Sequence, residues 1–458
     1  MKPSRSDVHR RTHAIPAIRF EEQDLTSFSG LVLFQALFSK IDFKQRLQSC
    51  FNHLTVSPIF GHHVIVLLLV VHLLLGYRQL RDLRYYADDP MVKRLLGLDR
   101  LPDVSTVSRA LLQADARSVE KTASLNRFLV LEDLKTHALC RVTLDFDGSV
   151  QSTRRLAEGT AVGFNKKRKG DRSYYPLFCT IAQTGQVFDV LHRPGNVHDS
   201  RGARDFILRC IRHVREALPG VVIEARMDSA FFSDEIVGLL DAEGVVFTLS
   251  VPFERFTELK TMIEGRLRWR RFGSDLAFFE TRWKPQSWSD RYRFLFIRHT
   301  VDIRSKEPVQ FDLFVPHQRG YDFKVIVTNK HARAKKILAF HNGRGAQEAL
   351  FAELKSQCQM GYVPVRTLVG NQIYLCSAIL AHNLTRTLQM QANPPLRNTT
   401  EKRSPLWIFQ EINTLRRNLI QRAARLIHPQ GRLTLSMSAN DAVRRDLLHY
   451  LAAFDAAA

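Results

Sequence analysis

The sequence has no CxxC pair, no internal repeat, no low-complexity tract and no long unbroken apolar run. Its cysteines, Cys50, Cys140, Cys179, Cys210, Cys358 and Cys376, are scattered. That speaks against a zinc site built from them and fits reduced, mostly buried thiols of an intracellular protein. The longest apolar stretch, residues 64–75, is interrupted by His72. A membrane-spanning helix needs about 20 apolar residues, so this stretch reads as a buried helix and no membrane is expected as a partner. The basic start, with Lys2, Arg5, Arg10 and Arg11, has no apolar stretch behind it resembling a signal peptide. Negative charge is also short: 45 Asp plus Glu stand against 67 Lys plus Arg, a net charge of +22. A surplus that large favours a polyanionic partner, with nucleic acid ahead of an anionic membrane surface.

What is present suggests a multidomain α/β protein. A chain of 458 residues is long enough for roughly two to four domains. Residues 1–135 read as helical and as the DNA-binding part, because residues 31–38, 64–75 and 80–86 are rich in Leu and poor in β-branched pairs. Within them, residues 102–112 resemble the turn and second helix of a helix-turn-helix, with Asp103 or Ser105 as cap; an ordinary helical bundle reads equally well. From residue 141 the period changes to two. Val142, Leu144 and Phe146 alternate with Thr143, Asp145 and Asp147. Residues 174–182 and 186–191 are two further strands about a Gln183-Thr184-Gly185 turn. Ala203, Phe206, Ile207, Cys210, Ile211 and Val214 share a helix face. A strand at 221–227, a helix at 233–243 and a strand at 245–251 follow. Three strands, helix, strand, helix, strand is the order of an RNase-H-like core, here assigned to residues 136–251 and 331–392. Residues 252–330 break that order with strands at 276–283, 291–298, 310–315 and 321–328, and read as a separate β-rich insertion. A helix from about Arg344 to Met360 and another over 372–390 return to the core. Residues 393–458 form a basic C-terminal region carrying Arg416, Arg417, Arg422, Arg425, Arg432, Arg444 and Arg445.

Three carboxylates fall where this fold can bring them together. Asp147 ends the first strand, in Leu144-Asp-Phe-Asp-Gly-Ser149. Asp228 follows the fourth, in Arg226-Met-Asp-Ser-Ala-Phe231. Glu348 lies on the helix after the insertion. Acidic groups gathered this closely repel one another, and a hard divalent cation that takes oxygen ligands relieves that cost. Asp145 is the alternative to Asp147, because period two puts both on one face; Asp147 lies nearer the strand end, where a sheet's ligands gather. Arg344 precedes Glu348 by four residues and Lys355 follows it by seven. These offsets place the three side chains on one helix stripe, which suits either a metal–phosphate site or an exposed salt-bridged face. Two basic segments could hold a phosphate backbone: Lys166-Lys167-Arg168-Lys169, and Arg266, Arg268, Arg270 and Arg271 around Trp269.

The stretch His341-x2-Arg344-x3-Glu348-x6-Lys355 resembles the Tyr-x2-Arg-x3-Glu-x6-Lys signature of the IS4-like group of insertion-sequence transposases, with His in place of Tyr. The Leu144–Ser149 stretch, Tyr174-Tyr-Pro-Leu177, Arg193-Pro-Gly-Asn196 and Met227-Asp-Ser-Ala-Phe-Phe232 look like the IS1380 branch of that group. The resemblance spans roughly residues 90 to 390 and implies a DDE transposase. Asp147, Asp228 and Glu348 would be catalytic and metal-binding, with Mg2+ as cofactor and Mn2+ able to substitute. His341, Arg344 and Lys355 would contact DNA. The insertion would offer a ring to a flipped base, through Trp283 or Trp288 at a turn tip. Its partners would be the terminal inverted repeats and target DNA, held by a homodimer on paired ends in a bacterial cytoplasm, at the nucleoid. The alternatives are a catalytically inactive or domesticated DNA-binding protein and an RNase-H-like nuclease without strand transfer.

Overall fold

Residues 62–74 are almost all Val, Leu, Ile and His, so the helix they form has no polar face to turn to water and must be surrounded. The computed structural model describes residues 13, 15–21, 23–54, 60–163, 165, 168–198, 201–300, 320–397 and 405–454. In it, α1 (Leu31–Lys40), α2 (Phe43–Phe51), α3 (His62–Leu74), α4 (Pro90–Leu96), α5 (Val104–Gln113) and α6 (Ala116–Thr136) form a helical layer, with α3 buried along nearly its whole length. Asp103 caps α5 by accepting from the Thr106 amide at 2.7 Å, which meets one of the orphan donors of a helix start.

Behind this layer lies a sheet of nine strands among the described residues. In chain order they are β1 (Arg141–Gly148), β2 (Leu177–Ile181), β3 (Gln186–Leu191), β4 (Val222–Met227), β5 (Val246–Ser250), β6 (Arg270–Arg271), β7 (Leu276–Trp283), β8 (Tyr292–Thr300) and β9 (Tyr321–Thr328). Their spatial order is β6-β7-β8-β9-β5-β4-β1-β2-β3. Only β1–β4 and β4–β5 pair in parallel, joined through α7 (Ala203–Ala217) and α8 (Asp234–Ala242). The 3-2-1-4-5 arrangement of the first five strands, with β2 antiparallel to its neighbours, is the RNase-H-like topology. Pro176 interrupts the strand expected over 174–182. Tyr174 joins a small separate sheet with Gln151–Thr153 and Ala161–Val162, and β2 starts at Leu177. The Tyr174–Leu177 and Arg193–Asn196 motifs meet there. The Tyr175 amide donates to the Arg193 carbonyl at 2.8 Å. A Cβ on Gly195 would lie 2.2 Å from Ser173 Oγ, so only glycine fits that crossing.

Two expectations need revision. The described part of 252–330, which includes α9 (Thr257–Glu264), is not set apart from the core: β9 pairs with β5, with Ile326 opposite Ser250, and the insertion extends the main sheet. The reason is the β5 edge, whose unpaired backbone groups require a partner. The strand expected over 310–315 lies outside the described residues. The helix expected from Arg344 begins earlier, as α10 (Ala334–Asn342). It passes through a 3-10 turn at Gly343–Gly345 and continues as α11 (Ala346–Gln357).

The helical layer is not self-contained either. One apolar core runs through α1 to α5, the inner face of α11, the long α12 (Leu368–Ala392) and C-terminal residues from Ile412 to Tyr450. Leu25–Thr26 pairs with Ala424–Ile427, binding the first described segments to the last. Within the basic C-terminal region Arg416 is buried. It donates to the carbonyls of Leu73, Leu74 and Gln357 at 3.1, 2.8 and 3.0 Å, a cation on the negative end of α3.

Candidate active site

The site is built on the parallel pair at the centre of the sheet. Asp145 stands opposite Arg226 and Phe146 opposite Met227. The next residues, Asp147 on β1 and Asp228 just past β4, therefore come from neighbouring strands at the same sheet edge. Both are half-buried. Asp228 opens a 3-10 turn, Ser229–Phe231, and its carboxylate accepts from the Ala230 amide at 3.0 Å. Asp147 accepts from the Gly148 amide at 2.8 Å and from Arg344 Nη1 at 3.0 Å.

The α10–α11 rod crosses this edge and is tied to it at successive turns. The His341 ring contacts Ser250 Oγ at 2.9 Å and Thr248 Oγ1 at 3.1 Å, both on β5. Arg344 reaches Asp147, and Gln347 Nε2 donates to the Asp145 carbonyl at 3.0 Å. Glu348 sits in the first turn of α11, exposed, where a helix N-terminus favours a carboxylate. It is one turn beyond Arg344 and so on the stripe that faces Asp147. Lys355 lies two turns further along the same helix, half-buried.

The charges here are unequal in number. Arg226 and Lys324, which donates to Asn342 Oδ1 at 2.9 Å, approach the rod, and Arg344 reaches from it to Asp147. Burial lowers the Lys324 ammonium pKa and Arg344 lowers it further. His341 is held well below the usual histidine range, first by burial and then by Lys324, Arg344 and Arg226. It is a neutral ring spent on two hydroxyls inside the protein, not the phosphate donor expected. Its place between α10 and β5 leaves no path outward.

Asp145 is accounted for differently from Asp147. Both its oxygens accept from Arg226, Nε to Oδ1 and Nη2 to Oδ2, each at 2.6 Å, and both side chains are 2% exposed. Burial pushes its carboxyl up, with the Arg226 guanidinium pulling the other way. A carboxylate with both oxygens engaged is poorly placed to take a cation. Arg226 is the residue the sequence reading missed. The available signal was parity: Arg226 and Asp228 lie two apart on one strand, as Asp145 and Asp147 do on the other, so opposite charges share a face.

The donor set suits a hard divalent cation, since Asp147, Asp228 and Glu348 offer only carboxylate oxygens. A guanidinium already rests on Asp147, which marks the strand end as a place that calls for positive charge. Among the described residues no three His, Cys, Asp or Glu side chains stand close enough to hold a metal together.

The remaining expected DNA contacts fall elsewhere. Arg168 and Lys169 are exposed on a loop, and Lys166 and Lys167 lie outside the described residues. Trp283 and Trp288 do flank the turn between β7 and β8, but they point inward. Trp283 Nε1 donates to Glu258 Oε2 at 2.8 Å, and its ring meets Phe256 and Phe294 edge-on. Trp288 lies 4.7 Å from the Phe232 ring, just past Asp228. The turn tip expected to carry a ring outward instead exposes Gln286 and Ser287, because both indoles are consumed by the core beneath the insertion. Trp269 remains half-exposed, beneath the Arg298 guanidinium at 4.8 Å and among exposed Arg266, Arg268, Arg270 and Arg271.

Residues 12–457 match the family model described as Transposase DDE domain group 1. No curated protein matches the chain in sequence. Among solved structures, the chain is similar to a piggyBac transposase synaptic complex with hairpin DNA, at 11% identity and a TM-score of 0.40, covering 87% of this chain and 82% of that one. It is also similar to a Mos1 transposase paired-end complex with the left transposon end, at 9% identity and a TM-score of 0.18, covering 53% and 65%.

Proposed function

The chain belongs to the DDE transposase family of group 1, and from that premise we propose that it is a cut-and-paste enzyme of the IS4-like group, IS1380 branch. On this reading it cleaves at the terminal inverted repeats of its own element and joins the 3′ ends to target DNA. It works as a homodimer on paired ends, in a bacterial cytoplasm at the nucleoid. The family is one of metal-dependent DNA-cleaving enzymes; Mg2+, with Mn2+ able to substitute, is the proposed ion. The observation that carries the reading is the pair of carboxylates, Asp147 and Asp228, on neighbouring parallel strand ends beneath a helix that presents Arg344 and Glu348.

In this scheme Asp147, Asp228 and Glu348 are the residues that would hold the metal. When bound, divalent ions activate a water or 3′-hydroxyl and stabilise the leaving oxygen of an in-line displacement. Arg344 serves first as the cation that balances Asp147. With that charge met, its guanidinium is placed to hold the scissile phosphate, for which a planar two-pronged donor is well shaped. Lys355, further along the stripe, and exposed Arg168 and Lys169 supply backbone contacts, as do Lys166 and Lys167 by their place in the sequence. Gln347 and His341 orient the helix and touch no substrate.

The test uses duplexes carrying the repeats read from DNA flanking the coding sequence. Asp147→Ala, Asp228→Ala and Glu348→Ala are each expected to abolish cleavage while leaving binding to the duplex in place, because binding draws mainly on Lys and Arg. Asp145→Ala retaining no activity while Asp147→Ala cleaves normally would reverse the choice of first ligand. Cleavage without joining in a strand-transfer assay would leave a nuclease.

A further inference from the structure

Arg226, buried beside the site, is tied to two elements at once. Its Nε and Nη2 grip Asp145 on β1, and its Nη1 donates to the Phe340 carbonyl on α10 at 3.0 Å. The Phe340 ring lies 5.3 Å from the same guanidinium. Asp145 returns the connection, since its carbonyl accepts from Gln347 on α11. Three residues therefore join β1, β4 and both halves of the rod across the 3-10 turn. Gly343 sits in that turn, and a Cβ there would come 2.2 Å from Arg226 Nη1. The guanidinium is fixed at its other prongs, so it cannot swing away cheaply, and glycine is the residue that lets it pass.

We propose that Arg226, with Asp145 and Gln347, is a positioning brace that sets where the α10–α11 join crosses the sheet edge, and thereby where Arg344 and Glu348 stand relative to Asp147 and Asp228. This rests on the active-site reading given above. A buried ion pair is a weak source of net stability, because desolvation offsets most of the attraction. A pair that also donates to a backbone carbonyl of the neighbouring helix does geometric work that an apolar pair of equal volume cannot. The cost of lost geometry is large: displacement by about 1 Å at a reacting centre can lower a rate on the order of a hundredfold.

The experiment compares the full-length protein with Gly343→Ala and with the double variant Asp145→Leu/Arg226→Met. The double variant replaces the pair by apolar groups without stranding a charge. Three quantities are read: repeat binding without metal, cleavage against divalent-ion concentration, and hydrogen exchange of the metal-free protein. The expected result for both variants is normal repeat binding, a cleavage rate lower by on the order of ten- to a hundredfold and a higher ion concentration at half-maximal rate. Faster exchange should be confined to amides of residues 340–350. Wild-type cleavage and exchange in a folded double variant would overturn the brace. Should that variant fail to fold, the same result in Gly343→Ala overturns it. Asp147→Ala removes the Arg344 tie but leaves Arg226, Asp145 and Gln347 in place, so wild-type cleavage there would sink the active-site reading and leave the brace standing.

Discussion

Trp283 shows how far a single residue can be read before its neighbours are known. An indole beside a basic turn has the right surface to stack on a base, and nothing in the local sequence says otherwise. What decides is Glu258, a carboxylate 25 residues earlier that takes the indole N–H, and Phe294 on the next strand. The same holds for Asp145 and Asp147. Period two placed both on one face, and that was legible; which of them is consumed by an arginine 81 residues later was not, because pairing across a sheet is a property of register. For Trp283→Ala the expected outcome is therefore a loss of about 3–5 kcal/mol of stability, as for other large rings removed from a core, read by urea unfolding. In a time course on end-labelled repeat DNA at a temperature where the variant is folded, the proportions of nicked and fully cut products should match wild type. Altered proportions with unaltered stability would return the ring to the DNA.

Among elements, the strands and helices of the core were legible because each carries its own period: alternation along β1, and the 203–214 face along α7. Their partners were not. The strands after residue 252 look detachable in sequence, since the alternation of strand and helix stops there. In the structure, β9 covers the β5 edge, and β5 in turn carries Ser250 and Thr248, the hydroxyls that hold His341. The helix bearing Glu348 thus leans on a sheet that the insertion completes. The start of that helix was misplaced for a related reason. Two glycines at 343 and 345 look like a boundary, whereas the backbone stays helical through them. Replacing residues 252–330 by a short linker should then remove far more than an appendage. The bare β5 edge favours association between chains, so the expected product is aggregated, or soluble only with faster hydrogen exchange across β4, β5 and α10. A monodisperse protein with wild-type protection over β4 and β5 would show that the insertion is independent after all.

For the whole molecule, the shared core means that the helical layer, α11, α12 and the C-terminal residues pack as one body. Residues 1–135 read in sequence as a module, but apolar faces within them close on α12 and on the C-terminal segment. The same burial sets how the protein responds to acid. His72 is pushed down to about 4, and His192 and His382 to about 3, in each case first by burial; His341 is driven well below its usual range for the same leading reason. These four rings come from the helical layer, the small-sheet region, α10 and α12. Each is neutral when folded and titrates near 6.5 when unfolded, so below that pH the unfolded chain binds protons that the folded chain does not. Stability is therefore complete above about pH 6.5 and is lost as pH falls, by about 1.4 kcal/mol per histidine for each unit below it, until the folded pKa is reached. Asp133 opposes this: burial raises its carboxyl to about 6, so below that pH the folded state takes up a proton first and gains stability. Asp145, whose carboxyl burial also raises, acts in the same direction as Asp133; two carboxyls against four imidazoles leave the sign with the histidines. Urea unfolding should give a midpoint nearly constant between pH 7 and 8 and falling steadily from pH 6.5 to 5, and His382→Gln, which keeps a donor for the Gly185 carbonyl, should make that fall shallower. A midpoint that holds or rises down to pH 5 would mean these rings take up protons inside the fold, with water or anions reaching a core that the structure closes.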